Sequence, residues 1–288
     1  MIVSNTTNRF LSYVQGMVFL LRMKNLIILA LVQYAVSCYL ISLPSPFILQ
    51  FDLHYIVLAT LCTTAGGYII NDYYDVKIDS INRPDKVVID RSIHRRNALI
   101  WHGIVDVFAL VFAYLVSYRM LFLVACCIFF LWSYSNHFKR LPLIGNLIVA
   151  ILSAVSMLLI PYHFMQINPD VLVYASFSFL LTLVREIVKD MEDREGDARF
   201  HCKTLPIILG IKRTRFIVNG FVICLLALIV NYMYLQRGMN NYLLSVVVIG
   251  LLYFLWMLAK ADTTAEFKHL SSFCKTLMLV GLMSMMLF

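Results

Sequence analysis

Charged side chains are scarce in this sequence. Asp, Glu, Lys and Arg make up only 14% of its 288 residues, whereas hydrophobic residues account for 61% and the mean hydropathy is +0.81. A water-soluble domain cannot bury that much apolar surface, so the composition excludes a soluble protein and predicts an integral membrane protein. The net charge of +8 does not indicate nucleic-acid binding, because in a membrane protein the positions of Lys and Arg matter more than their total.

The sequence also lacks cysteine pairs with the spacing of metal sites or of extracellular disulfides. Its seven cysteines lie mostly within apolar stretches, and we interpret them as small core residues. Low-complexity segments and flexible linkers are missing too, which predicts a single membrane domain over residues 1–288. We expect membrane lipids around this domain, and no obligate protein partner.

Long apolar runs are abundant. A run of roughly 20 residues is enough for a helix to cross a bilayer. These runs predict an all-α, polytopic bundle of about nine transmembrane helices. The predicted spans cover residues 23–43, 53–72, 97–117, 119–137, 143–165, 170–190, 213–235, 240–259 and 270–288.

The basic residues divide sharply between the two sides of this predicted bundle. With nine spans, all of the 24 Lys and Arg residues except Arg119 and Arg237 fall on the side of the N-terminus. Cytoplasmic loops of membrane proteins carry the excess of Lys and Arg. We therefore expect a multi-pass protein of the cell (inner) membrane, with its two long polar segments, 72–96 and 190–212, in the cytoplasm and its C-terminus outside.

Both polar segments begin with aspartates at identical spacing, i, i+3 and i+7. On a helix that turns about 100° per residue, three such carboxylates fall within an arc of roughly 60° and form one anionic stripe. The shared spacing suggests an internal pseudo-repeat of four-helix units that end at about residues 137 and 260. The first motif holds Asp72, Asp75 and Asp79, and the second holds Asp190, Asp193 and Asp197.

Carboxylates at this density need a cation, and oxygen ligands suit Mg²⁺. Because Mg²⁺ usually pairs a few carboxylates with phosphate oxygens, the expected substrate is a diphosphate or polyphosphate. Two other interpretations stay open: solvated acidic helix ends, and a cation or phosphate transporter, which would place carboxylates nearer the bilayer midplane. Five basic residues are candidates to neutralise a departing diphosphate. They are Arg83, Lys86, Lys139, Arg140 and Lys189.

The run Asn71-Asp72-x-x-Asp75-x-x-x-Asp79, followed by Ile81-Asn82-Arg83-Pro84 and by a second motif of the same aspartate spacing, resembles the UbiA superfamily of intramembrane prenyltransferases. The resemblance covers nearly the whole chain. It implies nine helices around a lipid-accessible cavity, with both motifs binding Mg²⁺ and an isoprenoid diphosphate. The implied metal ligands are Asn71, Asp72, Asp75, Asp79, Asp190, Asp193 and Asp197, of which Asp72, Asp75, Asp190 and Asp193 are the catalytic candidates.

Within the superfamily, the segment from Arg185 to Asp197 is similar to the branch that makes ether lipids. This implies transfer of a prenyl group, geranylgeranyl in that branch, to geranylgeranylglyceryl phosphate or a similar phosphorylated glycerol lipid, with release of diphosphate. The alternative acceptor is an aromatic compound such as 4-hydroxybenzoate, as in quinone biosynthesis. One departure from the branch is the run Val87-Val88-Ile89-Asp90-Arg91, where relatives carry a run rich in Pro and Gly.

Three further residues are candidates for binding the acceptor. Arg22 and Asn25 form a polar entrance to the first span, although Arg22 also fits a role as a basic anchor at the membrane surface, and Glu186 lies one turn before Asp190. His102 and Asp106 form an i, i+4 pair inside the third span, where ionisable groups are costly. This pair is either functional or a buried structural contact.

Overall fold

The computed structural model describes residues 13–41, 43, 49–236, 238 and 241–287, and over these residues it contains helices and turns but no β-strand. Residues 13–20 are helical and lead into α1 through a turn. The helices that follow are α1 (Met23–Ala35), α2 (Phe51–Asn82), α3 (Arg95–Val116), α4 (Tyr118–Asn136), α5 (Ile144–His163), α6 (Pro169–Glu192), α7 (Arg194–Arg199), α8 (Leu205–Gln236), α9 (Asn241–Lys260) and α10 (Thr264–Met285). A π-helical turn, Val36–Leu40, extends α1.

Eight helices in the described part of the chain are long and apolar enough to cross a membrane: α1 with its π-helical turn, α2 to α6, α8 and α9. The prediction of an all-α membrane bundle is confirmed, and eight of the nine predicted spans correspond to these helices. The ninth corresponds to α10, which has 22 residues but carries charged or polar side chains such as Glu266, Lys268 and His269 in its first half. The external C-terminus requires α10 to cross, and it stays a prediction. Arg237 and Phe288 lie outside the described residues.

α2 is longer than its apolar run. It has 32 residues and continues ten residues beyond Asp72 into the predicted polar segment 72–96, so the helical stripe predicted for the first motif lies within it. It ends where Pro84 follows, because the residue before a proline is disfavoured in the helical region. Arg83 accordingly has φ −148° and ψ 62° and closes the helix.

The chain divides into two compact units. The first unit comprises residues 1–31 and 50–137, and within it α2, α3 and α4 pack against one another. A buried cluster of Leu20, Ile69, Ile89, Ile93 and Ala98 lies beside the first aspartate motif. Two members of this cluster, Ile89 and Ile93, anchor the segment between the first motif and α3. Asp90, between them, adopts a left-handed φ of 68°.

The second unit comprises residues 32–49 and 138–288. In this unit α6 packs against α5, α8 and α10, and its buried residues run from Val171 to Met191. The helix starts are fixed by local chemistry: the Asn168 side chain accepts a hydrogen bond from the Val171 N–H at 2.9 Å, and Thr263 and Glu266 form a capping box at the start of α10. α8 has a kink at Gly210, whose φ of 76° is readily adopted only by glycine. The single-domain organisation and the pseudo-repeat stay predictions.

Candidate active site

The first aspartate motif lies within α2. Its residues are all partly buried, and because the helix is continuous from Phe51 to Asn82 the spacing i, i+3, i+7 places the three carboxylates on one helical face. The Arg83 N–H donates to the Asp79 carbonyl at 2.8 Å, so Arg83 lies one helical turn after the last aspartate of the motif. The motif therefore presents an anionic stripe with a basic residue at its C-terminal end.

Asp72 has a cationic partner inside the first unit. The Nη2 of Arg22 donates to Asp72 Oδ1 at 2.6 Å, and the guanidinium lies 4.7 Å from the centre of the Tyr68 ring. The Asn25 side-chain N–H donates to the Tyr68 hydroxyl at 3.4 Å. Burial disfavours the charged form of Arg22, but the negative charges of Asp72 and Asp79 outweigh it and raise the pKa of Arg22. Arg22 and Asn25, predicted to bind the acceptor, thus lie beside the first motif.

The second motif differs from the first in its backbone. α6 ends at Glu192, Asp193 lies at a bend with φ −86° and ψ 4°, and Asp197 belongs to the short helix α7. The prediction of two equal helical stripes is wrong for this motif, although an Asp197 N–H bond to the Asp193 carbonyl at 3.1 Å spans the bend. The first motif has no such bend, because α2 is continuous through Asp79.

The hydrogen-bond donor to Asp190 is neutral. The side-chain N–H of Asn146 donates to Asp190 Oδ2 at 2.8 Å, and Asn146 is only 6% exposed. One turn before Asp190, the buried Glu186 accepts a hydrogen bond from Arg185 and lies 3.9 Å from Lys189 Nζ. The structure therefore gathers Asn146, Glu186, Lys189 and Asp190 into one polar cluster at the end of α6.

The remaining basic candidates lie on short turns. Lys139 and Arg140 belong to the 3₁₀ turn Phe138–Arg140, and the Lys203 N–H donates to the Arg140 carbonyl at 2.8 Å. This turn packs tightly on the start of α5, since a Cβ on Gly145 would lie 2.8 Å from the Lys139 Cα. Lys86 ends the turn Pro84–Lys86, and its side chain lies outside the described part of the structure.

His102 and Asp106 face the helix that carries the first motif. The His102 Nδ1 and Asp106 Oδ2 atoms are 3.3 Å apart, and both side chains are about 15% exposed. A Cβ on Gly66 would lie 2.1 Å from Asp106 Oδ1, so the absence of a side chain at Gly66 makes room for this pair. Gly66 precedes Asp72 by six residues, or about 9 Å along the helix. The pair is thus a contact between α2 and α3, away from the motif carboxylates.

Two site residues were not identified from the sequence. Asn146 and Tyr68 contact Asp190 and Arg22, respectively. Each is a single polar residue within an apolar run and has no spacing pattern to mark it. The available signals were weak: Asn146 lies just inside the fifth predicted span, and Tyr68 precedes Asp72 by one helical turn.

The donor atoms of the motifs fit Mg²⁺. They are oxygens of Asp side chains, with Asn71 adding an amide oxygen, and hard oxygen ligands suit this ion. Among the described residues, no three His, Cys, Asp or Glu side chains are gathered into a preformed metal cluster. Mg²⁺ does not need such a cluster, because it usually takes one or two carboxylates and completes its coordination shell with water and substrate phosphate oxygens.

Apolar spanning helices with aspartate-rich motifs at their ends define a polytopic membrane protein of the intramembrane transferase class. The chain belongs to the UbiA prenyltransferase family, whose family model matches residues 24–278. The resemblance read from the aspartate motifs is thereby confirmed, and membership of an enzyme family decides against a transporter.

Relatives of known name and structure are similar over most of the chain. The digeranylgeranylglyceryl phosphate synthase of Methanosphaera stadtmanae is 30% identical over 234 residues, which cover 80% of this chain and 86% of the relative. A solved structure concerned with digeranylgeranylglyceryl phosphate synthase superimposes with a TM-score of 0.71 at 23% identity, covering 95% of this chain and 97% of the other. A UbiA homolog from Archaeoglobus fulgidus, bound to DMAPP and Mg²⁺, gives a TM-score of 0.64 at 16% identity, with coverage of 95% and 100%. The two structures share the fold of this chain.

Proposed function

We propose that this chain transfers a geranylgeranyl group from its diphosphate to geranylgeranylglyceryl phosphate or a similar phosphorylated glycerol lipid, in a Mg²⁺-dependent reaction that releases diphosphate. The observation that carries this proposal is the similarity over 80% of the chain to a digeranylgeranylglyceryl phosphate synthase. The two aspartate motifs and the basic residues beside them supply the chemistry that such a transfer needs.

The motif residues are proposed to hold the metal. Asp72, Asp75, Asp190 and Asp193 are the principal ligands in this proposal, with Asn71, Asp79 and Asp197 beside them. When bound, Mg²⁺ neutralises negative charge on the diphosphate leaving group. Both motifs are proposed to serve the same reaction, as their equal aspartate spacing suggests.

Five basic residues are proposed to bind the diphosphate leaving group. As the allylic carbon–oxygen bond breaks, negative charge builds on the diphosphate, and fixed cations stabilise it without reorganisation. The acceptor hydroxyl then forms the new carbon–oxygen bond and loses its proton. The residues assigned to the diphosphate are Arg83, Lys86, Lys139, Arg140 and Lys189.

The acceptor is proposed to bind through Arg22, Asn25 and Glu186. Arg22 suits a phosphate group because its guanidinium offers a planar fork of donors. Glu186 is buried and held by Arg185, which would fix its position relative to a bound acceptor. The distribution of Lys and Arg supports an active site that faces the cytoplasm.

An acceptor assay tests the function. The purified chain in lipid nanodiscs, supplied with Mg²⁺ and radiolabelled geranylgeranyl diphosphate, should label geranylgeranylglyceryl phosphate and leave 4-hydroxybenzoate unlabelled. Labelling of the aromatic compound alone would overturn the proposed acceptor while retaining the reaction class.

The metal assignment has its own test in the same assay. Asp72→Asn and Asp190→Asn each remove a charged ligand with little change of shape, so each should abolish Mg²⁺-dependent turnover while thermal unfolding stays close to that of the parent chain. Asp262→Asn is a matched control, because Asp262 is 82% exposed and pairs with Arg215 outside both motifs. Full activity in either motif variant would contradict the assignment.

A further inference from the structure

Arg22 lies at a sharp turn between two helical segments. Residues 13–20 are helical, α1 begins at Met23, and Arg22 between them has a φ of 50°. A non-glycine residue in the left-handed region is uncommon and is held there by its surroundings. The Asn25 N–H donates to the Arg22 carbonyl at 2.8 Å, which stabilises the turn. The side chain of Arg22 therefore leaves the backbone at a fixed point beside α2.

Tyr68 holds the guanidinium of Arg22 in place. Its ring lies 4.7 Å from the Arg22 Cζ atom, and its hydroxyl accepts the hydrogen bond from Asn25. Tyr68 precedes Asp72 by four residues on α2, so the two side chains lie on the same helical face. A cation over the face of a tyrosine ring is attracted to it. The ring therefore supports the guanidinium at the level of the Asp72 carboxylate.

The contact between Arg22 and Asp72 uses an oxygen that the proposed function assigns to the metal. The Arg22 Nη2 donates to Asp72 Oδ1 at 2.6 Å, so a divalent ion that approaches that oxygen is repelled by the guanidinium and competes with it for the oxygen. The Arg22 side chain is 37% exposed, so a second anion can approach it. Arginine binds phosphate as readily as carboxylate, through the same fork of donors.

We propose that the Arg22 guanidinium exchanges between Asp72 and the phosphate of the acceptor lipid. Binding of a divalent cation at Asp72 drives this exchange. Tyr68 is the positioning residue that holds the guanidinium where both anions can reach it. This inference rests on the proposed function, because it takes Asp72 as a metal ligand and a phosphorylated lipid as the acceptor. Cation and acceptor then bind cooperatively, since each favours the state in which Arg22 has left Asp72. Such coupling is reciprocal: the acceptor must raise the affinity for the cation by the factor by which the cation raises the affinity for the acceptor.

Direct measurement of cation binding tests the exchange without relying on turnover. Mn²⁺ serves as the probe, with its binding to the full chain in nanodiscs followed by electron paramagnetic resonance, with and without geranylgeranylglyceryl phosphate. In the parent chain, the lipid should tighten Mn²⁺ binding by about 5-fold or more. Arg22→Gln should bind Mn²⁺ more tightly than the parent without lipid, because the competing guanidinium is gone, and the lipid should no longer change its affinity.

Three further variants sharpen the test. Tyr68→Leu removes the ring and should reduce the coupling between lipid and Mn²⁺ binding. Tyr68→Phe keeps the ring and should retain most of that coupling. Arg22→Lys keeps the positive charge but lacks the planar fork of donors, so it should give an intermediate coupling. Arg119→Gln removes an exposed arginine elsewhere in the first unit and should match the parent chain. Thermal unfolding of each variant establishes that it is folded.

The outcomes separate this inference from the proposed function. Unchanged or weaker Mn²⁺ binding in Arg22→Gln, or full coupling in that variant, would overturn the exchange. If Asp72→Asn binds Mn²⁺ as the parent does, the metal role of Asp72 fails, and the exchange fails with it. If Asp72→Asn loses Mn²⁺ binding while Arg22→Gln behaves like the parent, only the exchange is wrong.

Discussion

Asp72 and Asp190 occupy equivalent positions in the two motifs but have partners of different charge. Asp72 accepts a hydrogen bond from the cationic Arg22, whereas Asp190 accepts one from the neutral Asn146. Under the proposed function, a cation at Asp72 competes with a hydrogen-bonded guanidinium, whereas a cation at Asp190 competes with a hydrogen-bonded amide. The two carboxylates are therefore expected to differ in their affinity for Mg²⁺.

Asn146→Leu tests the partner of Asp190. The substitution keeps a similar volume but removes the hydrogen bond that orients the carboxylate, and loss of such a partner typically costs 10–100-fold in metal affinity or activity. We expect the Mg²⁺ concentration for half-maximal turnover to rise by about 10-fold or more. The measurement is turnover against Mg²⁺ concentration.

Asn219→Leu provides the matched control for that measurement. It is the same change in α8, at a residue whose buried Oδ1 has no hydrogen-bond partner among the described residues. Its Mg²⁺ dependence should equal that of the parent chain. An equal shift in both variants would mean that Asn146 acts on folding and has no specific effect on the metal.

At the residue scale, the sequence predicts carboxylates better than their partners. Asp72 and Asp190 were identifiable because each begins a set with fixed spacing, and spacing translates directly into a helical face. Asn146 and Tyr68 carry no such pattern, since their contacts come from other helices and depend on tertiary packing. Arg22 was identified by its position at the start of a span, but its contact with Asp72 was not.

Gly145, at the start of α5, packs against the backbone of the basic turn Phe138–Arg140. It lies in the first turn of α5, directly before Asn146, and a Cβ there would lie 2.8 Å from the Lys139 Cα and 3.0 Å from the Phe138 carbonyl oxygen. Both atoms belong to the backbone and cannot rotate away. The turn Phe138–Arg140 must therefore move if Gly145 gains a side chain.

Gly145→Ala should destabilise the chain by about 1–3 kcal/mol through this overpacking. It should also raise the KM for geranylgeranyl diphosphate, because Lys139 and Arg140 are assigned to the leaving group. Thermal unfolding in nanodiscs and initial-rate kinetics measure the two effects.

Gly220→Ala is the control for a glycine replaced within a helix. An added Cβ at Gly220 meets no atom within 4 Å, so the variant should be neutral or more stable by about 0.5–1 kcal/mol. If Gly145→Ala behaves in the same way, the tight packing of the basic turn is not important for stability or binding.

At the element scale, hydropathy located the spans but not the full lengths of the helices. α2 runs to Asn82 because no glycine or proline lies between Asp72 and Pro84, and hydropathy reports only the part that suits the bilayer. The second motif shows the opposite limit: its aspartate spacing predicted a continuous helix, but the chain bends at Asp193. Spacing defines a face only where the backbone stays helical, and the second motif does not meet that condition at Asp193.

The family model covers residues 24–278, so the similarity to other prenyltransferases is a property of nearly the whole chain. The contacts divide the same chain into two units, and each unit contains one aspartate motif. The cytoplasmic orientation of both motifs remains the main prediction at this scale.

Cysteine labelling tests that orientation in a variant without the seven native cysteines. Asp262→Cys follows the eighth predicted span and should react with a membrane-impermeant maleimide only after the cells are permeabilised. Arg119→Cys follows the third predicted span and should react in intact cells. Protection of Arg119→Cys together with labelling of Asp262→Cys in intact cells would reverse the topology.

The mass of the lipid product formed in native membranes tests the central claim most directly, because all natural acceptors are then present in competition. Membranes that contain the parent chain, given Mg²⁺ and geranylgeranyl diphosphate, should accumulate a phosphate-bearing glycerol lipid with one added geranylgeranyl group, and membranes with Asp190→Asn should not. A prenylated aromatic product, or no product that depends on Asp190, would contradict the account.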